Sequence, residues 1–150
     1  MLLGKDKGKR KLGTELPWHE LAEGLTARGW SDVNHQIVLL TIKGTVIEAR
    51  GTDDAHLNCD HYDEVAGDAN PNADLAIGVT HAPYLRILEA MSEDQIDLIF
   101  AGHTHGGQVR LPWPGGSKAL TTSCDLPTWR ARGLTQLPDE PWLNVSAGMG

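Results

Sequence analysis

The sequence predicts an α/β fold, and three observations lead to it. Two apolar runs, Asp74-Leu-Ala-Ile-Gly-Val-Thr80 and Asp97-Leu-Ile-Phe-Ala101, have strand length and no polar alternation, as strands covered on both faces do. Between them, Pro83 precedes Tyr84, Ile87, Leu88 and Met91 at helical spacing. The segment therefore reads β-α-β, with parallel strands joined by a right-handed crossover. Both runs also end on histidine, His81 after the first and Gly102-His-Thr-His105 after the second.

Other elements follow in order. Residues 1–13 are rich in Lys and Gly and form a basic, flexible arm ahead of a domain over residues 14–150. Residues 16–29 read as a packing helix: Pro17 suits the first position, Trp18, Leu21, Ala22 and Leu25 make one apolar stripe, and Gly29 ends it. Residues 36–42 and 45–50 flank Lys43-Gly44 and predict a hairpin. The first of these strands is apolar on both faces and is expected to be buried. Residues 51–73 are polar, and Asp60 with Glu64 fits the start of a short helix. The stretch Trp142-Leu-Asn-Val-Ser-Ala-Gly-Met-Gly150 reads as a last strand running into glycines.

Composition narrows the functional classes. The 150 residues carry a net charge of −7, yet residues 1–11 hold five basic side chains against Asp6, so the remainder carries −11. An acidic body argues against broad nucleic-acid binding, while the arm offers at most a weak contact with an anionic membrane surface. Cys59 and Cys124 make no disulfide framework and no Cys-x-x-Cys pair, which reads as free thiols in a reducing compartment. No apolar run approaches the roughly 20 residues of a membrane span, and residues 1–5 lack the apolar core of a secretory signal. The expectation is a cytoplasmic protein, peripheral to the membrane if it meets one.

Parallel strands put their C-terminal ends on one edge of a sheet, and ligands of open α/β sheets bind outside that edge. His81 and His103 both follow such ends, and His105 can turn back to the same place. Neutral imidazole binds Zn, Fe, Mn or Ni. With carboxylate oxygens added, a two-metal site able to activate water becomes possible. His19 and His35 lack this context and read as surface residues. Asp53, Asp54 and His56 stand where a strand gives way to a loop, a usual place for site residues. Asp-Asp after a strand is also ordinary turn chemistry, and a structural role is expected for all three.

The motif Asp97-Leu-Ile-Phe-Ala-Gly-His-Thr-His-Gly-Gly-Gln108, preceded by Gly78-Val-Thr-His-Ala-Pro83, resembles the C-terminal half of the calcineurin-like metallophosphoesterases. Within them it is most similar to a bacterial subgroup with a Gly-His-Thr-His-Gly-Gly-Gln signature. Gly51-Thr-Asp-Asp-Ala-His56 and Asn144-Val-Ser-Ala-Gly148 add to the resemblance, which covers most of residues 14–150. It implies a partial two-sheet α-β-β-α sandwich whose N-terminal half is missing. It assigns His81 and His103 to one metal and His105 to another. The implied reaction is hydrolysis of a phosphomonoester, phosphodiester or pyrophosphate by a metal-bound hydroxide, the metals being divalent Mn, Fe, Zn or Ni.

None of the family's earlier motifs, Asp-x-His, then Gly-Asp, then Gly-Asn-His, is read in this chain, whose residues 1–35 resemble the region just after the last of them. They carry the remaining ligands and the catalytic histidine, so no catalytic residue is identified in this chain. The expectation is an impaired, truncated hydrolase holding one metal or none in place of two. The alternatives are a non-catalytic remnant, or a binding module that pairs with another chain.

Overall fold

A computed structural model describes residues 13–14, 16–136, 139 and 141–148. The basic arm expected over residues 1–13 lies outside them, save Gly13. The chain divides into two units, residues 1–32 and 33–150.

In the first unit, helix α1 runs Trp18–Thr26 with Pro17 at its N-cap. Gly29 follows with φ 88°, the left-handed geometry that lets a chain leave a helix. No residue of α1 is buried. Trp18 and Leu21 are exposed and Ala22 and Leu25 of the stripe are half-buried, so no residue of the expected packing stripe is fully buried.

The second unit is built on a six-stranded sheet in the order β1-β2-β3-β4-β8-β7, with a separate hairpin β5–β6. The strands are β1 Ile37–Ile42, β2 Thr45–Gly51, β3 Leu75–Thr80, β4 Leu98–Ala101, β5 Val109–Trp113, β6 Gly116–Thr121, β7 Gly133–Thr135 and β8 Trp142–Val145. Helix α2, Leu85–Glu93, connects β3 to β4. The predicted β-α-β unit is present: β3 and β4 pair in parallel, Ile77 opposite Leu98 and Thr80 opposite Ala101. β2 and β8 extend the parallel set on either side, while β1 and β7 are antiparallel edges. The mixed sheet, the small antiparallel sheet and the two helices make an α/β fold compatible with part of a sandwich.

The β1–β2 turn is the two-residue turn expected. Lys43 and Gly44 both take positive φ, 52° and 88°, which matches the right-handed twist of the strands they join. Burial of β1 is not as expected. Ile37, Leu39 and Ile42 are exposed; β1 is the edge strand, and β2 is its one sheet partner among the described residues. Its apolar character on both faces reflects β propensity rather than cover.

The core lies on one face of the sheet. Ile87, Leu88 and Met91 of α2 and Ile96 pack against Ala76, Ile99, Ala101, Leu143 and Val145 of the central strands. Each such large side chain contributes about 1.5–3 kcal/mol by leaving water. Gly78 on β3 permits this approach: a Cβ there would stand 2.6 Å from Met91 Sδ. The long loop 52–74 closes the same face. Arg50, 1% exposed, pairs with Glu48 and donates to Val65 O at 2.8 Å and Gly67 O at 2.6 Å. Tyr62, in a 3₁₀ turn Tyr62–Glu64, donates to Asp94 Oδ2 at 2.7 Å. These bonds tie the loop to β2 and to the end of α2.

Candidate metal centre

The fold delivers His81 and His103 to one place, as parallel strand ends require. His81 follows β3 and His103 follows β4 by two residues. The Gly102 amide donates to His81 O at 3.0 Å, so the two turns are joined through their backbones. His103 Nδ1 then lies 3.2 Å from His81 Nε2, and the rings meet edge-on with centroids 5.1 Å apart.

The His-Thr-His turn is held from beneath. Thr104, fully buried, donates from Oγ1 to Ala131 O at 2.7 Å and accepts the Gly107 amide on its carbonyl at 2.8 Å. His103 and His105 flank it at φ 64° and 50°. That left-handed geometry is uncommon for side-chain-bearing residues and is found where surrounding structure enforces it. Gly107, at φ 103°, passes so close to β6 that a Cβ would stand 2.4 Å from Ala119 Cβ. His105 is exposed and sits beside Gly148, past the end of β8. Its charge reaches His103, but the described residues show for it no nitrogen contact like that of His81.

One further imidazole joins the pair, at a residue for which the sequence predicts a structural role. The ring of His56 stacks at a tilt on His103, centroids 4.6 Å apart, and its Nδ1 lies 2.8 Å from the Tyr84 hydroxyl. β2 is parallel to β3, so the loop after β2 emerges at the same sheet edge. The available signal was that position together with the Asp54-x-His56 spacing. Asp53 and Asp54 make the turn: Asp53 Oδ1 accepts the Asp54 amide at 2.6 Å and Asp54 Oδ1 accepts the His56 amide at 2.7 Å. His35 is half-buried, with Nε2 accepting the Asp53 amide at 3.3 Å, while His19 stacks on Trp18 in the first unit.

Electrostatics favour a neutral imidazole at His103. Burial pushes the His103 pKa below the ordinary histidine value, and the charges of His56, His81 and His105 push the same way, against Asp54. His103 Nε2 is buried without a hydrogen-bond partner among the described residues. The donor pair fits a metal ion: two nitrogens bound tetrahedrally at 2.0–2.1 Å stand about 3.3 Å apart, close to the 3.2 Å between His81 and His103. Among the described residues, no group of three or more His, Cys, Asp or Glu side chains is arranged to hold a metal. The fit is therefore that of a two-imidazole half-site. Among the described residues no helix is long and apolar enough to cross a membrane.

The chain is 31% identical over 129 residues to the uncharacterized protein YpbG of Bacillus subtilis, a match covering 83% of this chain and 49% of that protein. It is 40% identical over 58 residues to the UDP-2,3-diacylglucosamine pyrophosphatase LpxG of Chlamydia trachomatis, covering 36% of this chain and 17% of that enzyme. The same enzyme from Chlamydia muridarum matches with equal identity and extent. The chain thus spans about half the length of the first of these relatives and less of the others. No protein-family model matches it, and no solved structure does. What the comparisons establish is local similarity to a pyrophosphatase.

Proposed function

We propose that this chain carries the histidine edge of a metal-dependent phosphoester hydrolase of the calcineurin-like kind. His81 and His103 hold one divalent ion, Mn, Fe, Zn or Ni, and His105 faces a second. The observation that carries this reading is the 3.2 Å approach of His103 Nδ1 to His81 Nε2 at the C-terminal edge of parallel strands. Substrates are phosphomonoesters, phosphodiesters or pyrophosphates, and the local likeness to LpxG favours the last.

A bound ion would supply Lewis acidity and an activated water. The residues supply the rest: burial keeps His103 neutral with a lone pair to offer, and Thr104 fixes the turn that aims it. Among the described residues no group of three or more His, Cys, Asp or Glu side chains is arranged to hold a metal, so the chain by itself is expected to bind metal weakly and turn over slowly. Elemental analysis and p-nitrophenyl phosphate hydrolysis with added Mn²⁺ test this. Two tightly held ions with fast turnover would refute the impairment; no metal uptake at all would refute the metal centre.

A specific observation favours a second reading, in which the chain completes its site by pairing with another polypeptide. Phe100, Leu134 and Trp142 are exposed on one face of the sheet and, with Leu98 beside them, line a shallow apolar hollow of about 440 Å³. Sedimentation velocity separates the readings, since a defined oligomer supports pairing and a monomer counts against it.

A further inference from the structure

The loops after β2, β3 and β4 meet at the C-terminal edge of the parallel strands, and each brings one imidazole: His56, His81 and His103. His81 and His103 approach through ring nitrogens. His56 lies instead against the face of the His103 ring, with centroids 4.6 Å apart and planes inclined by 38°. Imidazole nitrogens lie in the plane of the ring, so a neighbour on the face fixes the ring's orientation and leaves its edge to ligands.

His103 depends on such support. The turn sets its backbone at φ 64°, yet the ring can still rotate about its side-chain bonds. The edge-on His81 ring and the stacked His56 ring are the two aromatic contacts that limit this rotation.

His56 is itself held at both ends, and one hold comes from the start of α2. Its amide donates to Asp54 Oδ1 at 2.7 Å, which fixes the backbone, and its Nδ1 lies 2.8 Å from the Tyr84 hydroxyl. Tyr84 is the N-cap of α2, and its carbonyl accepts the Ile87 and Leu88 amides at 3.0 and 3.2 Å. Two residues on, Arg86 donates to Ala55 O at 2.8 Å and pairs with Asp60 at 2.8 Å. The helix end thus grips the loop on either side of His56. The Arg86 guanidinium also stands 4.8 Å from the centre of the Tyr84 ring and braces it.

We propose that Tyr84 is a positioning residue of the metal centre, acting through His56 to hold the His103 ring at the angle at which it meets His81. His56 is the relay and not a third ligand. Its Nδ1 is taken by the hydroxyl, and among the described residues no group of three or more His, Cys, Asp or Glu side chains is arranged to hold a metal. Outer partners of ligating imidazoles fix ring orientation, and their loss weakens metal binding by about 10–100-fold. The inference deepens the hydrolase reading and rests on it for the ion, but the hold on His103 is testable without metal.

The test has two arms on the whole chain. The first compares the histidine ring signals of the metal-free, isotope-labelled protein by NMR, at a pH where the imidazoles are neutral, between wild type and Tyr84→Phe. The His103 ring signals should shift as the His56 ring above them loosens; unchanged signals overturn the proposal. The second titrates Zn²⁺ into wild type, Tyr84→Phe, His56→Ala and the double variant. Each single variant should bind roughly tenfold more weakly. The double variant should bind no more weakly than His56→Ala, the coupling expected when one residue acts through the other. A tyrosine that only stabilises the fold would lower the melting temperature and move neither readout. Losses that add, or Tyr84→Phe binding as tightly as wild type, overturn the proposal and leave the hydrolase reading in place. If wild type takes up no Zn²⁺ while the His103 signals shift in Tyr84→Phe, the hydrolase reading falls and the hold of Tyr84 on the His103 ring stands.

Discussion

The two faces of the six-stranded sheet are both apolar and have met different fates. On one, Ala76, Ile99, Ala101, Leu143 and Val145 lie under α2 and the loop that follows β2. On the other, Leu75, Ile77, Leu98, Phe100 and Trp142 alternate with them along the same strands, and Phe100 and Trp142 remain exposed. The difference teaches that pattern alone does not bury a residue. β3 and β4 read as strands covered twice because their residues suit that, whereas the described structure covers them fully once.

Breaking the covered face should have the largest effect. Arg50 is buried against Glu48 and two carbonyls, so Arg50→Ala leaves a buried carboxylate unpaired and should cost about 3–5 kcal/mol. Urea melts would read this loss. If stability is unchanged, the loop 60–70 is not anchored as described. Ile99→Ala on the same face should cost about 2–5 kcal/mol by leaving a cavity.

Phe100→Ser, one residue away on the open face, sharpens the contrast. A surface substitution costs within about 0.5 kcal/mol. A loss in urea melts as large as that of Ile99→Ala would show that something covers this face in solution.

A smaller effect concerns pH. The folded His103 pKa is depressed, so between that value and the unfolded value near 6.5 the unfolded chain binds more protons. Stability from this group is present above the unfolded value and is lost as pH falls through the folded one. His103→Gln should flatten the melting temperature across that window; an unchanged slope would assign it to other groups.

Much of the site's frame was legible. Continuous apolar runs, Pro83 and the terminal histidines were enough for β3, α2, β4 and the meeting of His81 with His103, because parallel topology does the rest. β1 misled because branched apolar residues favour strands at an edge as well as inside. His56 was missed because its neighbours Asp53 and Asp54 explain themselves locally as a turn, while its contact with His103 depends on the loop folding back across the edge. Tyr84 reads in the sequence as one of the apolar positions of α2, and nothing linear shows that its hydroxyl reaches His56.

The central claim is that His81 and His103 share a metal ion at the strand ends. Titration of Zn²⁺ into the chain and into His81→Ala, His103→Ala and His35→Ala tests it directly. The account predicts about one ion per chain, bound at least about tenfold more weakly by the first two variants and unaffected by the third. Equal binding by all four proteins would contradict it.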